Sequence, residues 1–378
     1  MNGVPCIRGG SPIGNLYRRK PDGTIERLTN DQDHDWHPTM LPNGRVMYLR
    51  WDYTDTPHAF NRVMFSMNPD GTGQAAMYGS NSYWPNCMFY PKPIPGCATK
   101  FVASVVGHHS GTIGGMFLFD TARGRFEADG VVQQIPGYRK GVVPRIADGL
   151  GYRDPKVTTT HPLSEKYFLV AFSHEPLSGQ YTGQAKEGET GVYYYDRFGN
   201  LELLFRRPGI SAAYPIPLAP RPRPPILPST CDADLGNEGE FLLSDVNQSL
   251  YPLPSDRPVV QLRVFQLLPK SRTDNQSNPP ICYQFAYGPN ARMLLGTVPV
   301  EKDGSAYFRA PAKKPLYFQA VDADGRAVQS MRSIVYLQPG ERRSCVGCHE
   351  RPGTGPASRG TLALAFVRPP SAIQPGPD

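Results

Sequence analysis

Short runs of alternating apolar and polar residues recur along most of this chain. The segments "RVMYLRWD", "KFVASVVG" and "KYFLVAFS" are rich in β-branched and aromatic residues and are bounded by turn formers, which predicts strands. A two-strand pattern occurs four times, as "NLYRRKPDGTIERLT" (15–29), "VMFSMNPDGTGQAAMY" (63–78), "MFLFDTARGRFEADG" (116–130) and "VYYYDRFGNLELLF" (192–205). Each copy joins an aromatic-rich strand to a second strand through a polar turn containing Gly. Lys20, Asn68, Asp120 and Asp196 hold the matching position, at spacings of 48, 52 and 76 residues. A second unit precedes the later copies and opens on a residue plus Pro, at His37-Pro38, Trp84-Pro85, Asp154-Pro155 and Tyr214-Pro215. Two strands from this unit and two from the hairpin make one four-stranded blade. A period near 50 residues in an all-β sequence predicts a β-propeller.

The repeats amount to about four blades within residues 1–225. Six to eight blades are more usual, so a partial propeller with blades missing at the N-terminus is expected. The Pro-rich run "YPIPLAPRPRPPILPST" (214–230) cannot donate regularly to a ladder and reads as an extended linker. After it, "FLLSDV", "VVQLRVFQLL", "RMLLGTVPV", "SAYFRAP", "PLYFQAVD" and "SIVYLQPG" predict a β-sandwich over 226–341. Residues 342–378 then carry a cysteine motif and a Pro/Gly-rich tail expected to be weakly ordered, with "LALAF" (362–366) able to add a strand.

Composition narrows the function classes. The 378 residues carry a net charge of +7, but the basic groups are scattered in pairs and triplets, as at Arg18-Arg19-Lys20 and Arg342-Arg343. A nucleic-acid binder would concentrate them on one face, so nucleic acid is not an expected partner. An acidic redox protein is the better fit to a basic surface. No run of 18 apolar residues is present, so no membrane span is expected.

The sharpest chemical signal is "RRSCVGCHERPG" (342–353). Cys345, Cys348 and His349 form C-x-x-C-H, which reads as covalent attachment of one haem c: two thioethers, and an imidazole for the iron. A zinc site would need a second ligand pair, and none appears. Haem is attached covalently outside the cytoplasm, so the protein is expected to be exported to the periplasm or an equivalent compartment. "MNGVPCIRGG" has no basic segment followed by an apolar one, which places the expected leader upstream of Met1.

A second set of groups is concentrated in the first third. His34, His37, His58, His108 and His109 fall beside predicted strand ends, accompanied by Asp33 and by Asp31, Asp35, Asp52 and Asp55. Imidazoles and carboxylates converging from successive blades could bind an additional metal ion or transfer protons beside the haem; capping of turns is the plainer role for any one of them. Cys87 and Cys97 bracket a loop and could form a disulfide or remain thiols.

Long motifs then resemble one family. "LTNDQDHDWHPTMLPNGRVMYLRWDYTDTPH", "GSNSYWPN", "VVGHHSG", "HPLSEKYFLVA", "LGTVPVEKDGSAYF" and "MRSIVYLQPGERRSCVGCHE" are similar to the hydrazine synthase alpha subunit and its planctomycete relatives, over nearly all of residues 15 to 350. The resemblance implies a six-bladed propeller, a β-rich middle domain, and a c-type haem on Cys345, Cys348 and His349 lying against the propeller. It also implies partner subunits and haem chemistry on small nitrogen compounds, since hydrazine synthase condenses hydroxylamine with ammonia. Two features depart from the family. These residues contain no second C-x-x-C-H, and "ERPGTGP" has no tyrosine where the anammox motif is followed by one. Fold alone does not fix the reaction. A haem oxidoreductase and a non-catalytic electron-transfer or partner-binding cytochrome are both consistent with the residues.

Overall fold

The computed structural model describes residues 14–31, 34–51, 62–79, 82, 84–107, 114–136, 157–174, 190–269, 291–348, 350, 355 and 360–376. Among them the regular elements are β-strands and two short 3-10 turns, with no α-helix. No helix is long and apolar enough to cross a membrane.

A lone hairpin, β1 (Tyr17–Arg19) and β2 (Ile25–Arg27), comes first. Three four-stranded antiparallel blades follow. The first is β3 (Asp35–Met40), β4 (Val46–Trp51), β5 (Arg62–Met67) and β6 (Ala75–Tyr78). The second is β7 (Cys87–Pro93), β8 (Lys100–Val106), β9 (Gly115–Asp120) and β10 (Val131–Ile135). The third is β11 (Val157–Pro162), β12 (Tyr167–Phe172), β13 (Gly191–Asp196) and β14 (Leu201–Phe205). The first two blades are each one X-Pro unit plus one hairpin copy, as the repeat predicts, and the third carries the last hairpin copy; Asp154-Pro155 lies outside the described residues.

The matching positions share one backbone job. Lys20, Asn68 and Asp196 each donate their N–H to the carbonyl four residues on and accept from the N–H three residues on, which closes the outer hairpin. Asp120 closes a longer turn the same way, bonding Gly130 and Arg123. The hairpin 15–29 has no inner strand pair among the described residues, so these hold three complete blades plus a hairpin rather than four blades.

Adjacent blades bury both faces of the middle one, by period-2 alternation. Phe117 and Phe119 of β9 enter the core shared with the first blade, beside Trp84 and Tyr78. Met116 and Leu118, their neighbours in sequence, enter the core shared with the third blade, beside Phe168, Val170 and Tyr195. That is why "GGMFLFD" reads as a continuous apolar run instead of an alternating one.

No strand follows Tyr214-Pro215, so this X-Pro pair does not open a fourth unit. Its prolines lack the N–H groups a ladder needs. The segment instead runs as a strap across the inner strands: Tyr214 N–H donates to Thr159 Oγ1 at 2.8 Å, and its ring packs edge-on to Tyr90. At the β3–β4 turn the strap passes so close to Gly44, whose φ is +85°, that a Cβ there would lie 2.5 Å from the Pro225 carbonyl oxygen.

The following domain is a two-sheet sandwich. Its strands are β15 (Glu238–Leu243), β16 (Gln261–Leu267), β17 (Arg292–Pro299), β18 (Ala306–Pro311), β19 (Leu316–Val321), β20 (Ala327–Ser330) and β21 (Arg342–Cys345). One sheet has the order β18-β15-β21 and the other β17-β16-β19-β20. Phe241 and Phe308 stack across the first sheet at 5.5 Å, and Phe318 of the second meets Phe241 edge-on at 5.1 Å.

The tail departs from expectation. "LALAF" forms a 3-10 turn (Leu364–Val367), not a strand, because Asp303 and Ser305 side chains accept its first N–H groups. Residues 360–376 are docked on the sandwich, through Arg368 paired with Glu301 and a bridge between Thr297 and Gln374.

Candidate functional site

The segment "SIVYLQPG", predicted as a strand, makes only one isolated bridge to β19 and serves chiefly as the seam between the domains. Four contacts fix it and the adjoining Glu341 to the first blade and the hairpin before it. The Tyr336 hydroxyl donates to Asp31 Oδ2 at 2.6 Å, and Arg50 Nη2 donates to the Ile334 carbonyl at 3.2 Å. Gln338 Nε2 donates to the Leu28 carbonyl at 2.7 Å, and Gly73 N–H donates to Glu341 Oε1 at 2.8 Å. Arg343 adds a bond to the Gln74 carbonyl. At the centre, Arg50 and Asp31 form an ion pair at 2.7 Å, bent away from hydrogen-bond linearity, with side chains only 3% and 1% exposed.

The seam leads directly into β21 and the cysteines. β21 lies parallel to β15, placing Cys345 opposite Leu243. Beyond the strand the turn stays on the backbone of the next loop. Ser244 N–H donates to the Cys345 carbonyl at 2.9 Å, Asp245 N–H to the Val346 carbonyl at 3.1 Å, and Cys348 N–H to the Gln248 carbonyl at 3.0 Å. Both cysteines face a cavity of about 490 Å³ between the domains. Its walls are predominantly apolar, with Phe241, Phe308 and Phe318 from the sandwich and Phe65 and Ala76 from the first blade. Arg50, Arg125, Arg332 and Arg343 add positive charge from both domains. Burial raises both thiols, and Cys348 is pushed up to about 12, with Cys345 and Glu350 adding to the effect. Both thiols therefore stay protonated near neutrality and are not poised as free thiolates.

His349 lies outside the described residues, as do Asp33, His58, His108 and His109. His34 and His37 are described, and neither lines the cavity. His34 Nδ1 accepts the Gly14 N–H at 3.0 Å, and its ring stacks on Trp36 at 5.2 Å. His37 packs on Tyr90 at 4.5 Å and on Phe89 at 5.8 Å. No group of three or more His, Cys, Asp or Glu side chains among the described residues is arranged to hold a metal ion. Cys87 and Cys97 are not bonded to each other.

His37 carries a pH dependence of its own. Burial, aided by Lys92, lowers it from the ordinary 6.5 to about 4. The unfolded chain therefore binds more protons between these values, so this contribution is complete above pH 6.5 and is lost as pH falls towards 4. Up to about 1.4 kcal/mol per pH unit is at stake. His37→Asn, which tolerates the φ of 53° found here, is expected to flatten that slope. Urea midpoints of both proteins at several pH values in this window check it; parallel pH profiles would refute it.

Comparisons place this geometry. Residues 258–350 match the family model described as the hydrazine synthase alpha subunit middle domain. A solved structure of Kuenenia stuttgartiensis hydrazine synthase superposes with a TM-score of 0.69 at 16% identity, covering 93% of this chain. This chain spans 48% of the length of that one. The tricorn protease is also found, at a TM-score of 0.22 and 10% identity over 84% of this chain and 31% of that chain, too weak a likeness to carry argument. No curated protein sequence matches. Residues 258–350 are thus similar to a hydrazine synthase alpha subunit middle domain, and the chain has an all-β, propeller-like and sandwich fold similar to that of hydrazine synthase.

Proposed function

We propose that this protein is an exported c-type cytochrome whose haem, joined to Cys345 and Cys348, occupies the interdomain cavity and acts on a small nitrogen compound. The observation that carries this reading is that both C-x-x-C thiols open onto one apolar cavity of about 490 Å³ walled by both domains. A pocket of this size and lining is typical of cofactor sites.

The donor set fits the group. Two cysteines two residues apart supply the thioethers, and Phe241, Phe308 and Phe318 supply an apolar wall for a macrocycle. Arg125 and Arg332, both exposed, supply charge for its carboxylates. His349 is the iron ligand the motif provides. When bound, the haem would supply one-electron chemistry and an iron site for a small nitrogen ligand. The chain's part is to hold the group, keep water from its apolar face and set the charge around it.

A small ligand on the iron would mark an enzyme, and a Met or His there would mark an electron-transfer module; among the described wall residues the one thioether, Met331, accepts the Phe318 N–H at 3.2 Å. The basic surface suits an acidic redox partner or further subunits of a haem complex. Export follows from where covalent haem attachment takes place, and cell fractionation tests it.

The test is expression with an added signal peptide and a bacterial c-haem maturation system. A haem-stained band on a denaturing gel is expected, and Cys345→Ser with Cys348→Ser should abolish it, because thioethers survive denaturation. Absorption spectra should shift with NO, hydroxylamine or nitrite. A matured wild-type chain with no stained band would overturn the reading.

A further inference from the structure

We propose that the buried Asp31–Arg50 ion pair is a charge-balancing unit that sets the reduction potential of the haem in the interdomain cavity. This rests on the haem reading above. Arg50 is the wall residue, and Asp31 stands behind it. The guanidinium is locked from three sides: Asp31 at 2.7 Å, the Ile334 carbonyl at 3.2 Å, and the Phe65 ring with its centroid 4.7 Å away. Asp31 is locked in turn by the Tyr336 hydroxyl at 2.6 Å. Neither charge can swing away from the cavity or be screened by solvent.

A second carboxyl completes the balance. Asp35 is buried beside Asp31. Burial, and then the Asp31 charge, push the Asp35 carboxyl well above the usual carboxylate range, so a second negative charge beside Asp31 is disfavoured. The buried pair behind this part of the wall therefore sets one negative charge against one positive charge. Such a pair can be replaced by apolar groups at little cost in stability, so its presence on a cofactor wall points to electrostatic tuning. Removing both carboxyls leaves Arg50 positive, because a guanidinium cannot be deprotonated in proteins. An uncompensated positive charge favours the ferrous form, which carries one more electron. At an effective dielectric of about 20, a bare charge some 10 Å away shifts a redox ratio roughly tenfold, about 59 mV for one electron.

The test is a mediated spectroelectrochemical titration of the full haem-loaded chain, following the ferric/ferrous couple with electrons supplied by the electrode. Asp31→Asn with Asp35→Asn is expected to raise the potential by about tenfold in the redox ratio, about 59 mV. Adding Arg50→Gln to that variant removes the last charge and should return the potential to near the wild-type value. If the double variant does not fold, Asp31→Asn alone, with Asp35 left to offset part of the charge, should give a smaller rise in the same direction. Haem staining is read first, and its absence from the wild type sinks the haem reading. Haem-loaded variants whose potentials do not rise, or whose triple variant stays raised, overturn this proposal and leave the haem reading intact.

Discussion

Arg50→Met is expected to destabilise the protein by about 3–5 kcal/mol, because it strands the Asp31 carboxylate in a site that is 1% exposed. The loss should be specific to one partner. Asp31→Leu combined with Arg50→Met removes both charges and should recover most of the stability, since neutral replacement of a buried pair is often harmless or favourable. The single variant also cuts the bond to the Ile334 carbonyl, which is 284 residues away in sequence and in the other domain. Its first symptom should therefore be separation of the domains. Limited proteolysis in the 214–230 strap should accelerate before either domain loses its circular dichroism. Urea unfolding of wild type, single and paired variants decides it; a paired variant as unstable as the single would show that the charges were not the cause.

Much of the fold was legible because propeller blades repeat. The alignment of Lys20, Asn68, Asp120 and Asp196 reflects one backbone requirement, the closing of an outer hairpin, and such requirements leave residue-level traces. Strands β20 and β21 left none, since "AVQS" and "RRSC" are short, partly exposed and polar. "SIVYLQPG" misled in the opposite sense. Its alternation is real, but Tyr336 and Gln338 are buried by the hairpin and first blade, and a docking surface needs apolar spacing as much as a sheet does. The cysteine motif was readable because its residues lie close together in sequence, as the proposed thioether attachment would require. The clamp that positions it was not, because Tyr336 and Asp31 stand 305 residues apart and neither residue is unusual alone. His34 and His37 stood out as polar side chains, yet both are held in aromatic packing with Trp36, Phe89 and Tyr90. Burial of an imidazole against rings cannot be told from ligation by its neighbours in sequence.

On the haem attachment proposed above, Gly347→Ala is expected to impair loading while leaving both cysteines in place. Gly347 sits between the two thiols, and a Cβ there would lie 2.1 Å from the Gln248 carbonyl oxygen and 2.7 Å from the Gln248 Cβ. The oxygen belongs to backbone, so it cannot rotate away as the end of a flexible side chain could. It is also the acceptor of the Cys348 N–H at 3.0 Å, so displacing it releases the bond that keeps Cys348 turned to the cavity. Relief requires the turn to move off the 244–248 loop. Overpacking of this kind costs about 1–3 kcal/mol, which is a roughly 5–150-fold loss in the population of the native turn. The expected result is a wild-type fold by circular dichroism, a lower thermal midpoint, and several-fold less haem-stained protein per unit of chain. Residual product should include chains held by one thioether, visible as a shifted pyridine haemochrome band. Gly355→Ala, where a Cβ would meet nothing within 4 Å, should load haem normally. Equal loading of the Gly347 and Gly355 variants would mean that the turn is free to rearrange and that the loop behind it does not position the cysteines.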